Sequence, residues 1–211
     1  MSMKICIIGA GHVGGSLGRI WATKGHIVIF GARNPDSINT RRAVELSKNT
    51  AKAFHIKEAM KTADVVVLAT PWEAVPEVLF QIVDFHNKIL IDCTNPIRSN
   101  PEWPLSQGTS AAEEIAKRLP GFKVVKAFNT LGAANLGDVH FGAEQADGFM
   151  CGDDAEAKKI VAQLSTDAGL HVVDVGGLRN AELLESLAKL WITLAYQQGI
   201  GPNIAFKLLQ R

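Results

Sequence analysis

A doubly wound α/β fold, with a mostly parallel sheet and helices on both faces, is predicted by three features of the sequence. Short continuous apolar runs recur along the chain (KICII, IVIF, DVVVLA, KILID, KVVKAF). Unbroken runs mark strands buried on both faces, whereas alternation would mark a sheet with one wet side. Helical stretches separate these runs, and strands alternating with helices build parallel βαβ units. A glycine turn joins the first strand to the first helix. The 211 residues suit one domain with a small extension, or two small domains. With 47% hydrophobic and 20% charged residues, the chain can bury a core and is not disordered.

The elements follow in order. Lys4–Ile8 is a strand, followed by the glycine turn and a helix from about His12 to Lys24 that Gly25 stops. His26–Phe30 is the second strand, Asp36–Asn49 a polar helix and Lys57–Lys61 a shorter one. Asp64–Ala69 is a strand bounded by Thr70-Pro71. Thr70-Pro71-Trp72-Glu73 reads as a helix start, with Thr70 as N-cap, Pro71 at the first helical position and Glu73 closing a capping box. Lys88–Asp92 is a strand, and an irregular Pro-rich stretch covers Asn95 to Gly108. Ser110–Leu119 is a helix with Ser110 and Glu113 as a capping box, and Lys123–Phe128 a strand.

The composition shifts near residue 130, which divides a dinucleotide-binding part, 1–130, from a small C-terminal α/β extension, 131–211. A Gly-, Ala- and Asn-rich loop leads to a strand at Gly148–Cys151, a helix at Asp154–Asp167 and a strand at His171–Val175. The last helix, Ala181 to about Gln197, places Leu183, Leu184, Leu187, Leu190, Trp191 and Leu194 on one face. Gly199 to Pro202 breaks it.

Several function classes are disfavoured. A formal net charge of +1 gives no field for nucleic acid or an anionic membrane. No apolar run reaches the roughly 18 residues of a membrane span, and the N-terminus reads as a first strand, not a signal peptide. Three scattered cysteines without CxxC argue against a disulfide framework and fit a reducing compartment, so a cytoplasmic protein is expected. The six histidines lack ligand spacing, which makes a metal site improbable. No Lys or His stands out as the general acid of carbonyl reduction, so no catalytic residue is assigned.

Gly9, Gly11 and Gly14 form G-x-G-x-x-G between a strand and a helix. There glycine permits a tight turn, close approach to a pyrophosphate and close helix–sheet packing, with the pyrophosphate on the helix N-terminus. His12 and Val13 lie inside this turn and contribute mainly backbone. The overlapping G-x-S-x-G at Gly14–Gly18 is a decoy for a hydrolase elbow, because Ser16 lies about a turn inside the helix and not on the strained strand end. After the second strand stand Ala32, Arg33 and Asn34, with no acidic residue to take a ribose 2′-hydroxyl. Arg33 suits a 2′-phosphate instead, which favours NADP over NAD, while Arg41 and Arg42 read as a solvated helix face.

Ligands of open parallel sheets bind at the carboxyl ends of the strands. Beyond the glycine turn, those ends supply Thr70, Pro71 and Trp72, then Thr94, Asn95 and Pro96, then Asn129, Thr130 and Leu131. They carry hydroxyl and amide groups and almost no charge, which suits holding a ring and a carboxamide without proton chemistry. Helix capping or turn formation would account for Thr70 or Asn95 taken singly.

GAGHVGGSLG, GARNP, LATPWEAVPEVL, DCTNPI, VKAFNTLGA and LAKLWITLAYQQGIGPNIAFKLL together resemble the coenzyme F-420 (F420):NADP oxidoreductase family, across essentially the whole chain. The resemblance implies a Rossmann domain with a small C-terminal extension, and often a homodimer. It implies NADP(H) held by Gly9 to Gly14, Arg33 and Thr70 to Trp72. It further implies direct hydride transfer to a deazaflavin near Asn95, Pro96 and Asn129 to Leu131. Ala32 replaces the serine common in the family, which removes one phosphate hydrogen bond. The function expected is an NADPH-dependent reductase of a flavin-like acceptor, best matched by F420. A reductase of flavin or another small redox compound is the alternative, and a non-catalytic NADP(H) sensor acting through a protein partner is the alternative of another class.

Overall fold

The computed structural model describes residues 2–48, 50–82, 84–97 and 108–211. The chain runs β1 (Lys4–Ile8), α1 (His12–Thr23), β2 (Ile27–Ala32), α2 (Ile38–Leu46), β3 (Lys52–His55), α3 (Ile56–Met60), β4 (Val65–Leu68), α4 (Val75–Ile82) and β5 (Lys88–Asp92). It continues through α5 (Ala111–Arg118), β6 (Phe122–Ala127), β7 (His140–Phe141), β8 (Glu144–Gln145), β9 (Asp147–Gly152), α6 (Ala155–Asp167), β10 (His171–Asp174) and α7 (Ala181–Ile192).

Eight strands form one sheet in the order β10-β9-β6-β5-β4-β1-β2-β3, while β7 and β8 make a separate small hairpin. Six strands, β3 to β6 through β1, are parallel neighbours in the order of dinucleotide-binding sheets. The sheet is extended beyond β6 by β9, which runs antiparallel to it, and by β10, parallel to β9. The mostly parallel α/β fold read from the sequence is therefore the fold observed. The sheet also runs without a break across residue 130.

Alternation along the strands divides the core into two layers. Ile5, Ile7, Val65 and Val67 face a cluster with Leu17 and Trp21 of α1, Ala43 of α2 and Val161 and Leu164 of α6. Cys6, Ile8, Val66 and Leu68 face Met60 of α3, Leu79 of α4, Ile115 of α5 and Leu184 of α7. The indole of Trp21 donates to the carbonyl of Leu164 at 2.9 Å, which ties α1 to α6. Burial of apolar area on both faces, at about 25 cal/mol per Å², is the main stabilising term.

Most predicted elements are present with shifted ends. β2 extends to Ala32, and the polar helix shortens to α2, capped by the Ser37 hydroxyl accepting from the Thr40 amide. β3 is unheralded in sequence because KAFH is an edge strand only partly buried. The helix start at Thr70 needs correction. Pro71 is extended, with φ −55° and ψ 145°, and itself caps a 3-10 turn at Trp72–Ala74. The Thr70 hydroxyl therefore caps nothing and is buried without a hydrogen-bond partner. The last helix ends at Ile192 and continues as a π-helical turn over Thr193–Gln197. Residues 98–107 of the Pro-rich stretch lie outside the described residues. No helix among the described residues is long and apolar enough to cross a membrane.

Candidate functional site

The glycine turn is built by two close approaches and one clearing. Gly9 has φ +107°, a left-handed conformation that favours glycine, and a Cβ there would lie 2.4 Å from the Ala69 carbonyl oxygen. A Cβ on Gly14 would lie 2.0 Å from the Gly9 carbonyl oxygen, so this glycine lets α1 close onto the turn. A Cβ on Gly11 would meet nothing within 4 Å. Gly11 is also the N-cap of α1, offers no side-chain cap and has no acidic residue following it in the first turn. The first amides of α1 thus face a clear space with a partial positive charge, and a diphosphate fits that cradle by chemistry and by shape.

The neighbouring strand ends converge on the same edge. The Gly9 turn touches the Ala69–Thr70 loop. Beyond β5 and β6, Asn95 and Asn129 form a reciprocal pair. The Asn95 amide donates to the Asn129 main-chain oxygen at 3.1 Å, and the Asn129 amide donates to Asn95 Oδ1 at 3.0 Å and to the Leu184 carbonyl of α7 at 3.1 Å. Asn129 Oδ1 itself is buried and unpartnered, as is Thr70 Oγ1. A buried acceptor or hydroxyl without a partner is costly, and two on one rim are what a site awaiting a polar ligand presents. Phe128, just before Asn129, holds φ +61°, which is strained for a bulky residue. Its ring packs edge-on against Trp21 at 5.6 Å, and this packing holds the kink that turns the chain at the end of β6.

Two clefts adjoin at His12, Ala133 and Ala134. The first, about 430 Å³, lies against Gly11, His12, Ser16, Asn39 and Arg42, between α1 and α2. The second, about 270 Å³, is walled by Val13, Asn95, Asn129 and Leu131 on the sheet side and by Ala188, Trp191 and Tyr196 on the other. Trp191 is fixed by its indole N–H donating to the Ile204 carbonyl at 2.8 Å and by an edge contact with Tyr196 at 5.8 Å. Gly132 makes room for it, since a Cβ there would lie 2.6 Å from the Trp191 ring.

The predicted residues are thus gathered in part. Gly11, His12, Val13, Asn95, Asn129 and Leu131 line the clefts, while Pro96 and Thr130 are buried beside them. Arg33 and Asn34 are exposed at the end of β2, after the half-buried Ala32. The Arg33 guanidinium lies 3.5 Å from Glu77 of α4, with side chains 71% and 54% exposed, a weak pair that leaves the cation available. Asn34 Oδ1 accepts from the Asp36 amide at 3.0 Å and shapes the turn into α2. Pro71 is exposed, and Trp72 packs on the core layer of α3 and α4. Arg42 is exposed, as its reading as a solvated face expects, and also lines the first cleft, while the wall made by Trp191 of α7 and Tyr196 of the π-helical turn was not foreseen.

Sequence reasoning missed a buried charge cluster behind the second cleft. Lys126 is 0% exposed, and its ammonium donates to Asp92 Oδ2 at 2.8 Å, Glu185 Oε1 at 2.8 Å and the Thr94 carbonyl at 2.6 Å. Burial works against the Lys126 charge, but Asp92 and Glu185 outweigh it and hold its pKa above the ordinary lysine value. Burial raises the Glu185 pKa, against the opposing pull of Lys126. The available signal was a second charge in each of two short strands, Asp92 ending KILID and Lys126 within FKVVKA.

The comparisons with known proteins agree with this geometry. The family model described as NADP oxidoreductase coenzyme F420-dependent matches residues 4–96. The F420-dependent NADP reductase of Methanothermobacter thermautotrophicus is 32% identical over 210 residues, covering 92% of this chain and 90% of that protein. Metalloreductase STEAP3 of Rattus norvegicus is 30% identical over 188 residues, covering 87% of this chain but 36% of that longer protein. Among solved structures, a chain from Arthrobacter sp. FB24, named as a candidate F420-dependent NADP reductase, superposes with a TM-score of 0.90 at 28% identity, over 99% of this chain and 100% of that one. A full-length match above 30% identity, the dinucleotide-type sheet order and the glycine cradle at its edge coincide in one molecule. The chain belongs to the coenzyme F420-dependent NADP oxidoreductase family.

Proposed function

We propose that this protein is an NADPH-dependent oxidoreductase that moves hydride between NADP(H) and the deazaflavin coenzyme F420. The observation that carries the reading is the second cleft. It adjoins the glycine cradle, and no carboxylate or ammonium is among its described lining residues. The relatives named F420-dependent NADP reductases support the choice of acceptor. NADPH, when bound, supplies the hydride, and such chemistry asks the protein for alignment more than for an acid or base.

In this reading the backbone of Gly9, Gly11, His12, Val13 and Gly14 holds the pyrophosphate, and Ala32, Arg33 and Asn34 receive the adenosine end with its 2′-phosphate. Thr70, Pro71, Trp72 and Asn95 border the nicotinamide half, and Pro96, Asn129, Thr130 and Leu131 border the acceptor. The unmet oxygens of Thr70 and Asn129 gain partners from ribose hydroxyls or a carboxamide. Trp191 excludes water from the far side. Residues 131–211 complete this pocket and supply the surface of a homodimer, a role supported by exposed Leu183, Leu190, Ile200 and Leu209. Three buried free cysteines support a cytoplasmic location.

The test is to mix the protein with NADPH and oxidised F420 and follow the visible absorbance of the deazaflavin. Loss of that absorbance with matching NADPH consumption is expected. Turnover with flavin but not F420 would reassign the acceptor, and NADPH binding without turnover on any acceptor would make the protein a sensor.

A further inference from the structure

The Lys126 cluster does work that its energetics do not explain. Two carboxylates and one ammonium are sealed in the core. Buried ion clusters seldom stabilise more than well-packed apolar side chains of the same volume, because desolvation offsets the attraction. What such a cluster does supply is a fixed geometry. All three ammonium donors of Lys126 are taken, by Asp92 of β5, Glu185 of α7 and the Thr94 carbonyl. Asp92 Oδ1 is fastened by the Thr94 amide at 2.9 Å and hydroxyl at 2.7 Å. Glu185 is fastened by the Ala111 amide at the start of α5, at 3.0 and 3.1 Å.

Each arm leads to the wall of the second cleft. Asp92 precedes Asn95, Lys126 precedes Asn129, and Glu185 precedes Ala188, each by three residues. The carbonyl of Leu184, next to Glu185, takes the Asn129 amide, so α7 and the β6 loop are joined twice. Any slide or rotation of α7 against the sheet breaks ionic contacts that water cannot replace, and it moves Trp191 and Asn129 together. We propose that Lys126, Asp92 and Glu185 form a positioning clamp that fixes α7 against the ends of β5 and β6 and so sets the width of the cleft in which the two rings meet. The inference rests on the reading of that cleft as the hydride-transfer site. These three are positioning residues, since they act through Asn95, Asn129 and Trp191.

The test uses the full chain with Glu185→Gln, which keeps the size of the side chain but turns an amide NH2 toward the Ala111 N–H. The single-turnover rate of hydride transfer from NADPH to F420 should fall about tenfold. The NADPH dissociation constant should stay within about twofold, because the glycine cradle is untouched. The emission lifetime of bound NADPH should change as its ring loses a fixed wall. A second variant, Asp92→Asn with Lys126→Met and Glu185→Gln, removes all three charges together and keeps an amide oxygen at positions 92 and 185 for the Thr94 and Ala111 donors. It should melt within a few degrees of the parent protein and still transfer hydride slowly, which separates positioning from stability and decides the matter should Glu185→Gln not fold. Wild-type transfer rates and NADPH lifetimes in the variants, or a loss of NADPH affinity in step with melting temperature, would overturn the clamp. If the unaltered protein passes no hydride to F420, the proposed function falls. The clamp is then judged on the bound-NADPH lifetime alone, which shifts in Glu185→Gln if it holds and stays at the wild-type value if it does not.

Discussion

The glycine turn and the buried charge cluster behind the second cleft sit a few strands apart on the same edge of one sheet, and they are organised by opposite means. The turn is made of main chain. Its shape follows from absent side chains at Gly9, Gly11 and Gly14, and its charge is the partial charge of helix amides. The cluster is made of side chains that meet across long stretches of sequence, with Lys126 reaching Asp92 across 34 residues and Glu185 across 59. The first arrangement tolerates little change at three positions and is indifferent to most others. The second depends on distant elements arriving together, so it reports on the packing of the whole C-terminal half.

The largest effect should come from breaking the cluster with one partner missing. Lys126→Met leaves Asp92 and Glu185 buried without their cation, and such losses amount to about 3–5 kcal/mol. For a chain of this length that lowers the melting temperature by roughly 6–20 °C, readable by calorimetry on the apoprotein. A change of a degree or two would show that the cluster is hydrated or only weakly engaged.

The turn should fail differently, losing ligand and not fold. A side chain on Gly11 enters open space, so Gly11→Val should melt like the parent while NADPH binding weakens at least about a hundredfold by titration calorimetry. Gly14→Ala sharpens the contrast, because its Cβ would lie 2.0 Å from the Gly9 carbonyl oxygen and should cost about 1–3 kcal/mol of stability. Unimpaired NADPH binding by Gly11→Val would place the pyrophosphate elsewhere.

A smaller effect belongs to the open rim on the other side of the glycine turn, at the end of β2. Arg33→Ala should weaken NADPH about ten- to hundredfold and NADH little, as loss of a charge-assisted phosphate contact requires. Equal losses for the two cofactors would show that Arg33 does not read the 2′-phosphate, and Arg42 in the first cleft would be the next cation to replace.

The smallest signal tests how dry the core layers are. Burial pushes the Cys6 and Cys151 thiols up to about 12, and burial with the Asp92 charge pushes Cys93 higher still. At pH 8 a thiol at that value is a thiolate in roughly one molecule in ten thousand. The native protein should leave all three unlabelled by iodoacetamide over an hour, and all three should react after denaturation. Fast labelling of Cys93 alone would show that the second cleft opens to solvent.

These contrasts explain what could be read in advance. The strand KICII followed by GAGHVGG carries its own turn and helix start within a dozen residues, because local backbone geometry is written in adjacent residues. Ser110 and Glu113 announced their capping box for the same reason, and both halves of it form. Thr70 misled because hydroxyl, proline and glutamate matched a local pattern, while the extended Pro71 took the cap position and left the hydroxyl buried without a partner. The reciprocal Asn95–Asn129 pair was half visible. Each residue was expected at a strand end, but their mutual bonds depend on β5 lying beside β6.

By itself the sequence determined the class of the fold, the order of its elements through β6 apart from the edge strand β3, and the glycine turn at Gly9 to Gly14, since apolar runs, caps and glycines act over a few residues. Only the tertiary structure decided that β9 returns antiparallel to extend the sheet, that α7 brings Trp191 over Asn129, and that a lysine and two carboxylates close beneath them. Those contacts join residues far apart in the chain. A lysine in a strand reads alike whether it faces water or two buried carboxylates, and the difference exists only once the sheet and α7 have closed around it.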